Sequence, residues 1–156
     1  MSRSLRLQTD VAFDYAASTT AQALVPATET LLDNLVLELT NRNDKALVEG
    51  VFSLSLAGML LAVTDEVSVT INVYRDAALT DLAYSFDNTL VAGIVGTPAA
   101  TSYQVPILFL DTPSLKSTED TTEYYITITV NETGATLGDE DVSLTQYTVA
   151  AEEIPQ

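Results

Sequence analysis

Apolar and polar residues alternate with a period of two along most of this chain. In SLRLQTDVAFDYAAS (4–18), Leu5, Leu7, Val11, Phe13 and Tyr15 form one set and Arg6, Gln8, Asp10 and Asp14 the other, with only Thr9 and Ala12 blurring them. Successive side chains of an extended strand point to opposite faces, so this period predicts a strand with one face buried. In LVLELTN (35–41), Leu35, Leu37 and Leu39 alternate with Val36, Glu38 and Thr40. In KALVEGVFSLSLAG (45–58), Phe52, Leu54 and Leu56 oppose Val51, Ser53 and Ser55. VSVTINVYRD (67–76) sets Val67, Val69, Ile71 and Val73 against Ser68, Thr70, Asn72 and Tyr74. EYYITITVNETG (123–134) sets Tyr124, Ile126, Ile128 and Val130 against Tyr125, Thr127 and Thr129.

A weaker strand pattern runs through LAYSFDNTLVAGIVG (82–96), and VSLTQYTVAAEE (142–153) supplies a last strand. SYQVPILFLDTP (102–113) is a strand with Pro106 inside it. Proline cannot donate to a ladder, so this strand belongs at an edge or a bulge. NRND (41–44), SLKSTEDTTE (114–123) and NETGATLGDED (131–141) carry turn and loop chemistry. A helical reading competes in AASTTAQALVPATETLLDNL (16–35) and AGMLLAVTDE (57–66), but Pro26 and the threonines weaken the first. The pattern predicts an all-β chain of about eight to nine strands: an antiparallel β-sandwich (jelly roll) with an N-terminal extended strand.

The expected organisation is an extended strand over 1–16, a spacer over 17–34 and a sandwich over 35–156. Two readings of the first segment stand side by side. It is either the first strand of its own sheet or a donor strand that completes the sheet of a neighbour. The donor reading makes Leu5, Leu7, Val11, Phe13 and Tyr15 the subunit interface. Regular alternation specifies register, and register matters where one face is buried.

Composition narrows the function. Of 156 residues, 22 are acidic and 6 basic, giving a net charge of −16. Nucleic acid and anionic membranes are disfavoured as partners, because both recruit clustered Lys and Arg. The most apolar run, VFSLSLAGMLLAV (51–63), is shorter than a membrane span. The absence of His and Cys removes the usual general base, thiol nucleophiles and thiolate or imidazole metal sites. Gly93 and Gly96 do not complete a phosphate loop. No cofactor is expected. GDED (138–141) reads as a solvated loop, with Asp139, Glu140 and Asp141 as the alternative oxygen ligands for Ca²⁺. Asn131-Glu132-Thr133 is a formal glycosylation sequon. MSRSLRLQ is too polar for a classical signal peptide.

The order GVFSLSLAG, VSVTINVYRD, SYQVPILFLD and VSLTQYTVAA, over roughly residues 45–151, resembles the jelly rolls of Bacillus-type spore surfaces. These are the subunits of endospore appendage fibres and the C1q/TNF-like domains of exosporium proteins. In the appendage subunits an N-terminal connector links successive copies, and Leu5 to Tyr15 occupies the matching place. Those connectors carry cross-linking cysteines, and this chain has none. The resemblance implies a non-enzymatic structural subunit, self-assembling as a homopolymer in an extracellular or spore-surface fibre. The alternatives are a phage or virion decoration, fibre or tail protein, and a soluble carbohydrate-binding module.

Overall fold

A computed structural model describes residues 11–57, 65–92, 101–115, 118–134 and 141–156. Nine strands form: β1 (Phe13–Ser18), β2 (Gln22–Ala23), β3 (Thr30–Glu38), β4 (Lys45–Leu56), β5 (Glu66–Tyr74), β6 (Leu82–Ala92), β7 (Thr101–Asp111), β8 (Thr121–Thr133) and β9 (Val142–Ile154). They make two antiparallel sheets, ordered β1-β9-β4-β7 and β3-β8-β5-β6, with β2 also on β9. Leaving β2 aside, every connection except the β5–β6 hairpin passes from one sheet to the other. That interlocked arrangement is the jelly roll expected from the alternation.

The cleanest alternations supply the core. Val67, Val69, Ile71 and Val73 of β5 and Tyr124, Ile126, Ile128 and Val130 of β8 are all 0% exposed. Leu35 and Leu37 of β3 and Phe52, Leu54 and Leu56 of β4 are buried with them. Strand β7 lies at an edge, the position that its Pro106 predicts, with Pro106 opposite Val51 of β4.

Two segments differ from expectation. Residues 17–34 are not a spacer: they carry β2, the buried Leu24 and the first five residues of β3. A register shift between Leu31 and Asp33 breaks the period there, so alternation first becomes regular at Leu35. The stretch also forms no helix. The second segment is β1, which pairs with β9 of its own chain, Phe13 opposite Glu152 and Ser18 opposite Tyr147. Its inward side chains are Ala12, Asp14 and Ala16, Ala16 being buried and Ala12 and Asp14 partly so. Its large apolar side chains face out. Most of AGMLLAVTDE lies outside the described residues.

Buried acids fasten the sheet edges. The Asp111 carboxylate, 4% exposed, accepts from Arg75 Nε at 3.0 Å, from an Arg75 terminal nitrogen at 2.5 Å and from Tyr124 Oη at 2.8 Å. Through Asp111 the end of β5 is tied to the end of β7 in the other sheet, and Arg75 also reaches Asp81, just before β6, at 2.9 Å. Burial and the Asp111 charge hold the Tyr124 hydroxyl far above its usual range. Nearby, Tyr84 of β6 stacks on Phe109 of β7, centroids 4.4 Å apart and rings 3° from parallel. At the opposite edge, Asp14 of β1 accepts from the Val36 backbone N–H of β3 at 2.7 Å.

Glu153, 0% exposed, anchors the start of β1. It accepts from Ala12 N at 3.0 Å, Thr40 N at 2.5 Å and Thr40 Oγ1 at 2.8 Å. Its own N–H donates to the Ala12 carbonyl at 2.9 Å. Burial alone pushes this carboxyl up, but the hydrogen bonds donated by Ala12 and Thr40 outweigh it and hold the group below its ordinary value of 4.5.

Two stability outcomes follow from these anchors. Arg75→Met leaves Asp111 buried with Tyr124 as its remaining partner and lowers the unfolding free energy by about 3 kcal/mol in urea titration; a loss below the error of that titration would mean Asp111 is solvated. Glu153 binds its proton less tightly folded than unfolded, so its contribution is present above pH 4.5 and lost as pH falls below it. Melting temperatures of the native protein therefore drop more steeply below pH 4.5 than those of Glu153→Gln, whose curve starts lower and runs flatter; parallel curves would contradict the anchor.

Candidate assembly surface

The two outer faces of the sandwich are chemically unlike. On the β3-β8-β5-β6 sheet the outward positions are mostly Thr, Ser, Asn and acids, joined by side-chain bonds. Thr70 Oγ1 donates to Asp87 at 2.5 Å and Asn131 Nδ2, in the sequon, donates to Thr70 Oγ1 at 2.8 Å. Glu29 lies over this face and accepts from Thr127 at 2.6 Å, Tyr74 at 2.9 Å and Asn72 at 3.1 Å. Burial raises the affinity of Glu29 for a proton, and these three bonds more than reverse it.

The outer face of β1-β9-β4-β7 carries an apolar patch among exposed polar residues such as Glu49, Thr148 and Glu152. Phe13 and Tyr15 of β1 are 60% and 67% exposed, Leu108 and Leu110 of β7 are 63% and 53%, and Val51 of β4 is 39%. The Phe13 and Tyr15 rings stack with centroids 6.1 Å apart. Between β1 and β7, Phe13, Tyr15, Val51 and Leu108 border a shallow groove of about 510 Å³ that crosses the sheet. Pro106, Thr148 and Ala150 complete its lining with Val51 and the aromatic pair. Glu49 is its one charged lining residue among the described residues.

The backbone at Gly50 forms part of the groove floor. Gly50 stands opposite Val149 on β9 and Ile107 on β7. A Cβ there would meet the Thr148 carbonyl oxygen at 2.9 Å and two Val149 carbons at 3.2 Å. The missing side chain lets β4 and β9 close up at mid-groove, with Val149 filling the core below.

Of the residues expected at an interface, Phe13 and Tyr15 line the groove and Val11, 39% exposed, sits just beyond it. Leu5 and Leu7 lie outside the described residues. So do Asp139 and Glu140, while the Asp141 carbonyl accepts from Ala57 N at 2.8 Å. Among the described residues no group of three or more acids is placed to hold a metal ion. The sequence reading missed Val51, Pro106, Leu108, Leu110 and Ala150. Their signal lay in VPILFL (105–110), which is apolar on both strand faces, Val105 and Ile107 inward, Leu108 and Leu110 outward.

The fold and this face define a jelly-roll module with an apolar groove across one outer surface. No protein-family model and no curated protein matches the sequence. The fold is similar to a chain in the crystal structure of the T13 IBDV viral particle, at 12% identity and a TM-score of 0.50, covering 93% of this chain and 35% of that one. It is also similar to a chain in the structure of the infectious bursal disease virus Gx strain, at 14% identity and a TM-score of 0.53, covering 93% and 32%. This chain thus spans about a third of each of those chains. At such identities the likeness is one of fold.

Gly50→Ala forces β4 and β9 apart at the groove floor, because the nearest atom is backbone and cannot rotate away. It lowers stability by about 1–3 kcal/mol in denaturant titration. An unchanged midpoint would mean that the strands leave room for a methyl group.

Proposed function

We propose that this chain is a non-enzymatic structural subunit that packs with copies of itself in a virion-type assembly. The observation that carries the reading is the apolar patch on one outer face in a chain of net charge −16. A solvated surface under such an acidic composition has ample charge to distribute, yet Phe13, Tyr15, Val51, Leu108 and Leu110 gather on one sheet. Contiguous exposed apolar patches of this kind mark interaction sites. The jelly-roll likeness to chains of two viral particles supports the virion setting over the spore-surface one. The lack of His and Cys favours a structural role over turnover.

In the finer, fibre-forming version, β1 would leave its own sheet and pair with β9 of the next copy. The segment that must then act as a hinge is fastened instead. Leu24 is 1% exposed, Leu24 N donates to Val142 O at 2.9 Å, and Ala27 N donates to Val130 O at 2.8 Å. We therefore assign the contact between copies to the outer face, with β1 kept in its own sheet.

Sedimentation velocity and negative-stain microscopy of the full chain test the reading. Assemblies should grow as salt rises, because screening relieves repulsion between copies carrying −16 each. Leu108→Asp, at a 63% exposed position, should block them while leaving the melting temperature nearly unchanged. A monomer at every ionic strength, or a monomer that binds glycans, would overturn the proposal.

A further inference from the structure

The groove across β1-β9-β4-β7 is too small a surface to join two copies face to face. Four strands at about 4.8 Å spacing and some six residues at about 3.4 Å give a face of roughly 400 Å² per copy. Two such faces bury about 800 Å², below the roughly 1,200 Å² of a stable specific interface. Face-to-face contact would also bury the Glu49 of each copy, with no cation among the described groove residues to pair it, in a chain of net charge −16.

A short extended segment fits better. From β1 to β7 the groove crosses three strand spacings, about 14 Å. Arg3 to Leu7 in extended form covers four steps, about 13 Å. The period of two puts Arg3, Leu5 and Leu7 on one side of that segment. Two of the six basic residues of the chain, Arg3 and Arg6, lie here, and the charged lining residue of the groove is an acid.

We infer that this groove receives residues 3–7 of a second copy, with Leu5 and Leu7 on the apolar floor and Arg3 beside Glu49. The inference rests on the self-assembly reading and gives it a contact. The segment belongs to a second copy because of how its own chain is held. Ala12 is bonded on both sides to Glu153, which holds the chain in line with β1 up to that point. Turning back would require a reversal within Gln8–Val11, which contains neither Gly nor Pro. Each copy thus presents one segment and one groove. That is a head-to-tail contact, which propagates into a ring, shell or filament.

Complementation between full-length variants tests this. Leu5→Asp/Leu7→Asp removes the segment and keeps the groove; Leu108→Asp removes the groove and keeps the segment. Each alone should sediment as a monomer with a native melting temperature, where the native protein assembles. An equimolar mixture should form a two-chain complex and nothing larger, since one functional segment meets one functional groove. As a second measure, Arg3→Glu should weaken assembly at low salt, and adding Glu49→Arg should restore it. If the segment variant assembles like the native protein, the inference fails while self-assembly stands. If both variants are monomers and their mixture stays monomeric, the segment occupies its own groove and the inference fails. A native protein that never assembles removes both.

Discussion

Strand β9 is hydrogen-bonded along both edges, to β1 and β2 on one side and to β4 on the other, and the sandwich is arranged around that double pairing. Its inward side chains reach most of the other elements. Tyr147 stacks with Phe52 of β4 at 6.1 Å, and its hydroxyl donates to Leu32 O at 3.3 Å and Asp33 Oδ2 at 3.1 Å in β3. Burial and the Asp33 carboxylate push that hydroxyl up to about 12, so it stays a donor across ordinary pH. Val149 fills the space below Gly50, and Glu153 holds the start of β1. Its outward residues Thr148 and Ala150 lie between the aromatic and aliphatic borders of the groove.

The two outer faces follow from different uses of the same period. In β5 and β8 the set opposite the core is Thr, Ser and Asn, whose hydroxyls and amides bond across strands. In β1 the relation is inverted: the small residues point in and Phe13 and Tyr15 point out. In β7 both sets are apolar. The outward Leu108 and Leu110 are exposed and take no part in the core that Val105 and Ile107 help to fill.

This explains what the sequence made legible. Alternation identifies which residues share a face, and in β3, β5 and β8 the polar set left no doubt which face was wet. In β1 the large set marked the outer face, because Ala12 and Ala16 carry too little apolar weight to signal that they point inward. The bulge at Leu31–Asp33 hid the start of β3 within an apparent spacer. Glu153 drew no attention in the last strand, although Tyr147, Val149 and Ala151 set the inward parity that it continues. Asp111 was illegible for a different reason: its partners Arg75 and Tyr124 come from distant parts of the chain, and no local pattern announces a bond between them.

The groove draws its lining from β1, β4, β7 and β9, the first and last long strands included. A ribosome-bound chain still lacking residues 142–154 has no surface of this kind, and β1 has no strand to pair with. Until then Phe13 and Tyr15 are two aromatic residues on an unanchored segment rather than one wall of a shaped site. The groove takes shape only once β9 has docked between β1 and β4, so a chain without those residues cannot display it.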